Sequence, residues 1–512
     1  MTWLISLPVM LPILAAGISL ALSRYGFAQR LLTVLVLSAV FVDAVLLLAA
    51  VDRDGRAEVA FGGWAPTLGI TLAADLLSAL LLAVAVLVAL AVLLFAIGQG
   101  TPDRAGSTIV PFHPAYLLLV SGVSLAFVSG DLFNLFVAFE VMLASSYVLI
   151  TLNAGAARVR AGMTYTMTSL MSSLLFLTAV ALIYAATGTV SLSELAERTA
   201  GLDEGVRSAL GAFLLVVFAI KAAVVPLHFW LPDGYPTAPA PITAVFAALL
   251  TKVGVYAMIR TQSQLFPRED TWWLVAVAAV LTMIVGILGA IAQDDVNRLL
   301  SFTLVSHIGF MLIGLALFDV AGFTGAILYI IHHIVVQAGL FLVAGLVVAR
   351  TGTAALHRLE SRDASGGTGR PGHRNGTADG TAEGTAEGTA DGPRGTPPVV
   401  TALFLLPALS MAGIPPFSGF IAKFALLKAA VADGGTAAYL MSAAALVTSL
   451  LTLYAMIRVW RAVSSPDPGS SGSPGLTVGA TAGIVVVGLA IAAGAGPLAE
   501  LSERAAHDLL AR

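Results

Sequence analysis

The sequence predicts an all-α polytopic membrane protein with about fourteen membrane-spanning helices, and three observations predict it. The 512-residue chain is 58% hydrophobic and only 11% charged, the composition of a protein housed in lipid. Apolar runs of about 20 residues, long enough to cross roughly 30 Å of hydrocarbon, recur along nearly its whole length. Finally, its only four lysines (Lys221, Lys252, Lys423 and Lys428) all lie inside those runs, while its arginines occupy loops and helix ends.

The candidate spans cover about 3–22, 30–51, 72–98, 114–130, 132–152, 163–186, 208–227, 238–262, 271–292, 299–318, 323–349, 399–431, 437–461 and 476–496. The first has no positive residue before Arg24 and reads as a retained membrane helix, not a cleaved leader. A tight Gly130-Asp131 turn joins the fourth and fifth, and Asp131 and Asn134 are explained there by capping. Lys221 in the seventh span is followed by Pro226, and Pro415-Pro416 in the twelfth precedes Lys423. Proline inside a helix removes a backbone hydrogen bond and breaks or kinks the rod. Two broken spans, five apart in order and each with a lysine within two turns, suggest two related halves. Internally repeated transporters place discontinuous helices at their binding sites in this way.

Between the eleventh and twelfth spans lies a low-complexity insert, 350–398, with the run TADGTAEGTAEGTADG. It has too little apolar surface for a core and is expected to be a disordered, tolerated insertion. With the termini outside, the inner loops carry more arginine than the outer ones, the orientation that the positive-inside rule favours. Much of that excess lies in the insert. The remaining divisions are 1–110, an N-terminal three-helix segment, and 462–512, a C-terminal helix and tail.

Several function classes are excluded. A net charge of −3 spread over short loops leaves no basic stripe for nucleic acid. The absence of cysteine removes disulfides, thiolate metal sites and cysteine-bound iron–sulfur clusters. No Gly-Lys pair exists, so the chain has no P-loop. No cofactor is expected.

A charged side chain near the bilayer centre costs about 2.5–3.5 kcal/mol, so the buried lysines oppose roughly 10 kcal/mol of insertion energy. Stability does not account for them, and an ion or proton pathway does. Glu140, mid-helix in the fifth span, must be protonated, paired or wetted, and pairing with Lys221 is expected. A lysine between burial and a mobile carboxylate can load and release a proton. Lys252 and Lys423 are read as further members of the pathway. Lys428, near a helix end before Asp433, is expected to snorkel to the interface. His332 and His333 are adjacent in mid-span and can relay protons. Side chains at successive helical positions project about 100° apart, so one of the two is expected to face the pathway. No third ligand at helical spacing supports a metal site. His228, just past Pro226, and His307 are single histidines that could pass protons. Asp43 and Asp75 read as interfacial residues near helix ends. His113, His357, His373 and His507 are placed outside the core without a role.

Four stretches fall in a telling order: GDLFNLFVAFEVMLASSYVLITL, IKAAVVPLHFWLPDGYPTAPAPITAVFAALLTKVGVYA, LLSFTLVSHIGFMLIGLAL and AGIPPFSGFIAKFALLK. Together, over about 110–430, they resemble the antiporter-like membrane subunits shared by respiratory complex I, membrane hydrogenases and Mrp-type cation/proton antiporters, and most nearly the D subunit of the last. The resemblance implies fourteen helices with two inverted five-helix repeats, 111–262 and 263–349 with 399–461, and broken helices 7 and 12. By position, Glu140 matches that family's fifth-helix glutamate, Lys221 its seventh-helix lysine and Lys252 its eighth-helix lysine. His332 or His333 matches its eleventh-helix histidine and Lys423 its twelfth-helix lysine. The family implies proton movement along this buried axis, with the glutamate–lysine pair as an electrostatic gate. Two departures stand out: the long insert, and Tyr235 where some complex I subunits carry histidine after LPD.

Two functions are therefore carried forward. One is a membrane subunit of a multisubunit Na+/H+ antiporter, working with other membrane subunits on protons and Na+. The other is a proton-pumping subunit of a complex I-like NADH dehydrogenase or membrane hydrogenase. A subunit with a purely structural role fits five buried titratable groups poorly.

Overall fold

The computed structural model describes residues 2–60, 70–101, 112–152, 156–266, 268–365, 398–464 and 475–511. Its first helices are α1 (Thr2–Ala21), α2 (Gly26–Asp54), α3 (Leu76–Gly98), α4 (Phe112–Val128), α5 (Leu132–Thr151) and α6 (Ala156–Thr187). A short α7 (Leu192–Ala200) leads to α8 (Glu204–Ala222), and after a bend come α9 (Trp230–Gly234) and α10 (Ala240–Leu265). Next are α11 (Arg268–Ile291), α12 (Val296–Leu317), α13 (Val320–Thr351) and a short α14 (Leu356–Ser365). The chain ends with α15 (Pro398–Ala412), α16 (Ser418–Asp433), α17 (Thr436–Val463), α18 (Gly475–Ala493) and α19 (Ala495–Leu510). Strands β1 (Ala57–Ala60) and β2 (Thr71–Ala74) pair antiparallel between α2 and α3.

Twelve of these helices are long and apolar enough to cross a membrane. The α4 helix and the interrupted pair α15–α16 account for the other two expected spans. The apolar stretches of α10 and α13 are buried along their whole length, whereas α18 leaves most of its surface outside. The central helices are thus shielded from lipid by protein on every side. Close approach at their flanks uses small residues. A Cβ on Gly122 of α4 would lie 2.7 Å from the Met142 amide of α5, and Gly286 of α11 packs still more tightly on the backbone of Ser306 of α12.

One local structure occurs twice. Thr187-Gly188-Thr189 closes α6 and Thr351-Gly352-Thr353 closes α13, each with its glycine in the left-handed region, at φ 75° and 71°. In both, the first threonine hydroxyl donates to a carbonyl one turn back on its own helix, Ile183 and Val347 at 2.8 Å each, and lies 3.1 and 3.0 Å from the carbonyl of the second threonine. The second hydroxyl then accepts from the amide two residues on, at 3.2 and 3.1 Å. The segment next pairs with the start of an earlier helix, Leu132 N–H to Val190 C=O in one case and Val296 N–H to Ala354 C=O in the other. The two helix breaks also correspond. Ala223 (φ 60°) ends α8 three residues before Pro226, and Gly413 (φ 87°) follows α15 three residues before Pro416. A left-handed residue followed by a proline without an N–H terminates a helix.

The structure corrects four expectations. Residues 350–365 are not part of a structureless insert, because α13 runs to Thr351 and α14 follows it; the rest, 366–397, lies outside the described residues, as does His373. The C-terminal tail forms α19, whose Ala505, Ala506 and Leu509 are buried. His113 is buried at the start of α4 against Phe112. Asp43 and Asp75 are buried within the protein, not exposed at helix ends. Asp43 is 5% exposed and lies mid-way along α2. Asp75 caps α3 and forms a buried ion pair with Arg260 of α10.

Arg260 also donates to the Tyr256 hydroxyl (3.0 Å), which in turn donates to the Phe127 carbonyl (2.8 Å). This network ties the N-terminal helices to the central helix α10. Removing one partner of a buried ion pair strands the other charge, at about 3–5 kcal/mol. Arg260→Met is expected to lower the thermal denaturation midpoint of the purified protein in detergent; an unchanged midpoint would show that Asp75 finds another cation.

Candidate functional site

Of the four lysines, three end in the protein core and one does not. Lys221 sits in the last turn of α8, immediately before the first break. Its ammonium donates to the Ser173 hydroxyl (2.9 Å) and the Ser169 carbonyl (3.3 Å) of α6, and lies 5.5 Å from the Phe139 ring centre. Lys252, wholly buried in α10, folds back to donate to the Ala247 carbonyl of its own helix at 2.5 Å. Lys423, in α16 just after the second break, donates to the Met411 (2.9 Å) and Ala412 (3.1 Å) carbonyls of α15. The Phe310 ring centre lies 4.7 Å from its nitrogen. Lys428 is exposed near the far end of α16, the placement expected for a snorkelling residue.

Glu140 departs from expectation. It is half-buried in α5, with one carboxylate oxygen buried and without a hydrogen-bond partner. No ion pair joins it to Lys221; the two sit within Coulombic range but beyond contact. The seryl side of α6 takes the ammonium instead, because Ser169 and Ser173 stand one turn apart facing α8.

The histidines gather around α12 and α13. The His307 ring accepts or donates at 2.7 Å to the Tyr329 hydroxyl through Nδ1 and at 3.3 Å to the Thr452 hydroxyl of α17 through Nε2. His333 stacks toward His307, ring centres 5.4 Å apart, and both of its nitrogens are buried without a partner. His332 points to the other side of α13, where Nδ1 meets the Ser418 hydroxyl at 2.9 Å. Ser410 of α15 closes that chain, its hydroxyl 3.3 Å from that of Ser418. The two adjacent histidines thus leave α13 on different sides, His332 toward α16, where it meets a hydroxyl, and His333 toward α12, where it packs against the His307 ring. His228 is not drawn into either cluster; it lies half-buried in the first break with its ring 6.4 Å from that of Phe302.

Sequence reasoning missed the hydroxyls that hold these cations and imidazoles: those of Ser173, Tyr329, Ser418 and Thr452. It also left Tyr165 unassigned, whose hydroxyl bonds Ser146 at 2.7 Å. A cavity of about 20 Å³ beside Lys221 is lined by Tyr165, Ser169 and Trp230, room for about one water. A larger cavity of about 600 Å³ opens where Gln99, Leu152, Asn297 and Ala349 end or begin their helices.

Comparison with known proteins gives a consistent picture. Residues 129–361 and 392–452 match the family described as NADH:quinone oxidoreductase/Mrp antiporter, TM. The D subunit of the Na(+)/H(+) antiporter of Alkalihalophilus pseudofirmus is 36% identical over 460 residues, which cover 89% of this chain and 86% of that protein. The D subunit of the Na(+)/H(+) antiporter of Bacillus subtilis is 32% identical over 457 residues, 89% of this chain and 85% of that one. Among solved structures, a chain of the Mrp complex from Dietzia sp. DQ12-45-1b superposes with TM-score 0.85 at 32% identity, covering 100% of this chain and 98% of that one. A chain of respiratory complex I from Thermus thermophilus gives TM-score 0.79 at 25% identity, with 99% of both chains covered.

The second break depends on a glycine. A Cβ on Gly419 would overlap the Ser410 carbonyl and stand 2.8 Å from Cε1 of His332. Overpacking of this kind costs about 1–3 kcal/mol. Gly419→Ala is expected to lower the thermal midpoint in keeping with that cost, whereas Gly496→Ala, with open space at its Cβ, leaves it unchanged. Equal midpoints for the two variants would mean that the break tolerates a wider spacing.

Proposed function

Because the chain belongs to the NADH:quinone oxidoreductase/Mrp antiporter transmembrane family, we propose that it is a membrane subunit of an Mrp-type Na+/H+ antiporter whose buried Glu140, lysines and histidines conduct protons. It works in the membrane as a multi-pass protein beside other membrane subunits, as its relatives in Mrp and complex I assemblies do.

One observation supports the conduction reading above the others. The three buried ammonium groups are bonded only to neutral oxygens, the Ser173 hydroxyl and four main-chain carbonyls, with Glu140 kept at a distance. A lysine clamped by a carboxylate is locked in its charged form, since losing the proton would strand the acid. A lysine held by hydroxyl and carbonyl groups keeps hydrogen-bond partners in either form and can switch. Movement of Glu140 toward or away from Lys221 changes the Coulomb energy of that switch, which at an effective dielectric near 20 is about 4 kcal/mol for charges about 4 Å apart. Protons then pass by way of Lys252 to His333 and His307, and on to His332 and Lys423. His228 stands at the first break as a group that can exchange protons with the axis. The likeness to a complex I chain keeps the redox-driven alternative in view, and the proteins that copurify under mild detergent separate the two: hydrophilic iron–sulfur subunits for the pump, small membrane subunits alone for the antiporter.

In vesicles carrying the whole complex, Lys221→Ala or Lys423→Ala is expected to slow Na+-driven proton exchange by roughly 10²-fold or more, the scale of losing a proton-transferring group. Lys428→Ala, at the exposed end of α16, retains exchange. Normal exchange in both core variants would refute the conduction role.

A further inference from the structure

His307 of α12 bridges two other helices. Its ring is fully buried, with Nδ1 on the Tyr329 hydroxyl of α13 at 2.7 Å and Nε2 on the Thr452 hydroxyl of α17 at 3.3 Å. The hydrogens in these contacts follow from counting. A threonine hydroxyl has one proton to give, and Thr452 gives its own to the Thr448 carbonyl one turn back, at 2.8 Å. Toward His307 it has only lone pairs left, so Nε2 carries the ring hydrogen and donates it. The neutral ring then keeps its lone pair on Nδ1, and Tyr329 donates to it. Exchanging the two nitrogens would set lone pair against lone pair at Thr452. It would also leave the Tyr329 hydroxyl proton without an acceptor, since His307 is its one hydrogen-bond partner among the described residues.

Every hydrogen in this chain therefore points the same way, from Tyr329 to His307, from His307 to Thr452 and from Thr452 to the Thr448 carbonyl. A carbonyl has no proton to exchange, so the chain acts as a brace that fixes the ring. The nitrogen able to take a proton lies under the Tyr329 hydroxyl. Tyr329 stands four residues before His333, on the same face of α13, and the His333 ring is centred 5.4 Å from that of His307. The covered nitrogen is thus the one turned to the helix that carries His333.

Resting on the proton-conducting reading above, we infer that Tyr329 is a latch on this relay, a positioning residue whose hydroxyl keeps His307 from taking a proton until it turns away. The blocked step is transfer of one proton from a protonated His333 to Nδ1 of His307. It leaves His333 neutral and His307 an imidazolium, with no other bond made or broken. Tyr329 does not carry the proton itself. Such a latch prevents protons from leaking through the axis when no cation moves.

Two measurements test it. In the full chain purified in detergent with isotopically labelled histidine, the ring-nitrogen resonances that vanish in His307→Gln belong to His307. They are expected to show a protonated Nε2 and a bare, hydrogen-bonded Nδ1; a protonated Nδ1 overturns the latch. In vesicles carrying the full complex, a pH gradient imposed in Na+-free medium is expected to decay about fivefold faster with Tyr329→Phe than with the native chain, the rate equivalent of one net hydrogen bond. Phenylalanine keeps the stack on Phe310, ring centres 5.1 Å apart. Adding His307→Gln to Tyr329→Phe should return the decay to the native rate. Decay that stays fast in the double variant assigns the leak to packing and overturns the latch. Lys221→Ala isolates the reading beneath: normal Na+-driven exchange in that variant overturns proton conduction, whereas lost exchange there with no leak in Tyr329→Phe overturns the latch alone.

Discussion

Three ammonium groups deep in a membrane-spanning core have to be held without a carboxylate in contact, and the helices around each answer to that requirement. Each lysine costs energy to insert, and the protein lowers the cost by supplying oxygen atoms, not by supplying carboxylates. Two of the three sites lie at helix interruptions, and the third uses a carbonyl one turn back on its own helix. Around them, α10 and α13 are shut away from lipid, so the polar side chains on these helices meet each other across protein interior.

The buried ion pair of Asp75 with Arg260 stands apart from this logic. Its bidentate geometry and the added Tyr256 hydroxyl make a fixed joint between α3 and α10, two turns along α10 from Lys252. The same helix therefore carries a cation held by a carboxylate at one end and a cation held by a carbonyl in the middle. The contrast separates two ways of burying a charge in a membrane protein: a clamp where an acid touches the base, and a main-chain oxygen where no acid does.

Much of this was legible in the residues. Apolar length marked the spans, because hydrocarbon thickness imposes it, and Pro226 and Pro415-Pro416 marked the interruptions, because an imino nitrogen cannot donate. Lys221, Lys252 and Lys423 announced their depth by their neighbours. What the residues hid was tertiary. Glu140 and Lys221 looked like a pair because both are charged and central, yet the ammonium turns to Ser169 and Ser173 of α6. Asp75 looked interfacial because it lies near the end of a run, and nothing local says that this end meets Arg260. Serine and threonine give little signal in membrane helices, where most bond to their own backbone, so Ser418 and Thr452 could be recognised only once His332 and His307 were seen against them. The strings TGTVSL and TGTAAL were in plain view, and they mark the same joint after α6 and after α13.

The interruption between α15 and α16 has a meaning beyond geometry. The last carbonyls of any helix lack amide partners, and those of Met411 and Ala412 would have been consumed by the next turn had the rod run straight. By stopping the helix there, the two prolines free a pair of oxygens at its negative pole, and Lys423 docks on them. The kink is in that sense a ligand: main chain, bared by residues that have no acceptor side chain of their own, takes the part that a side-chain acceptor would otherwise have to play.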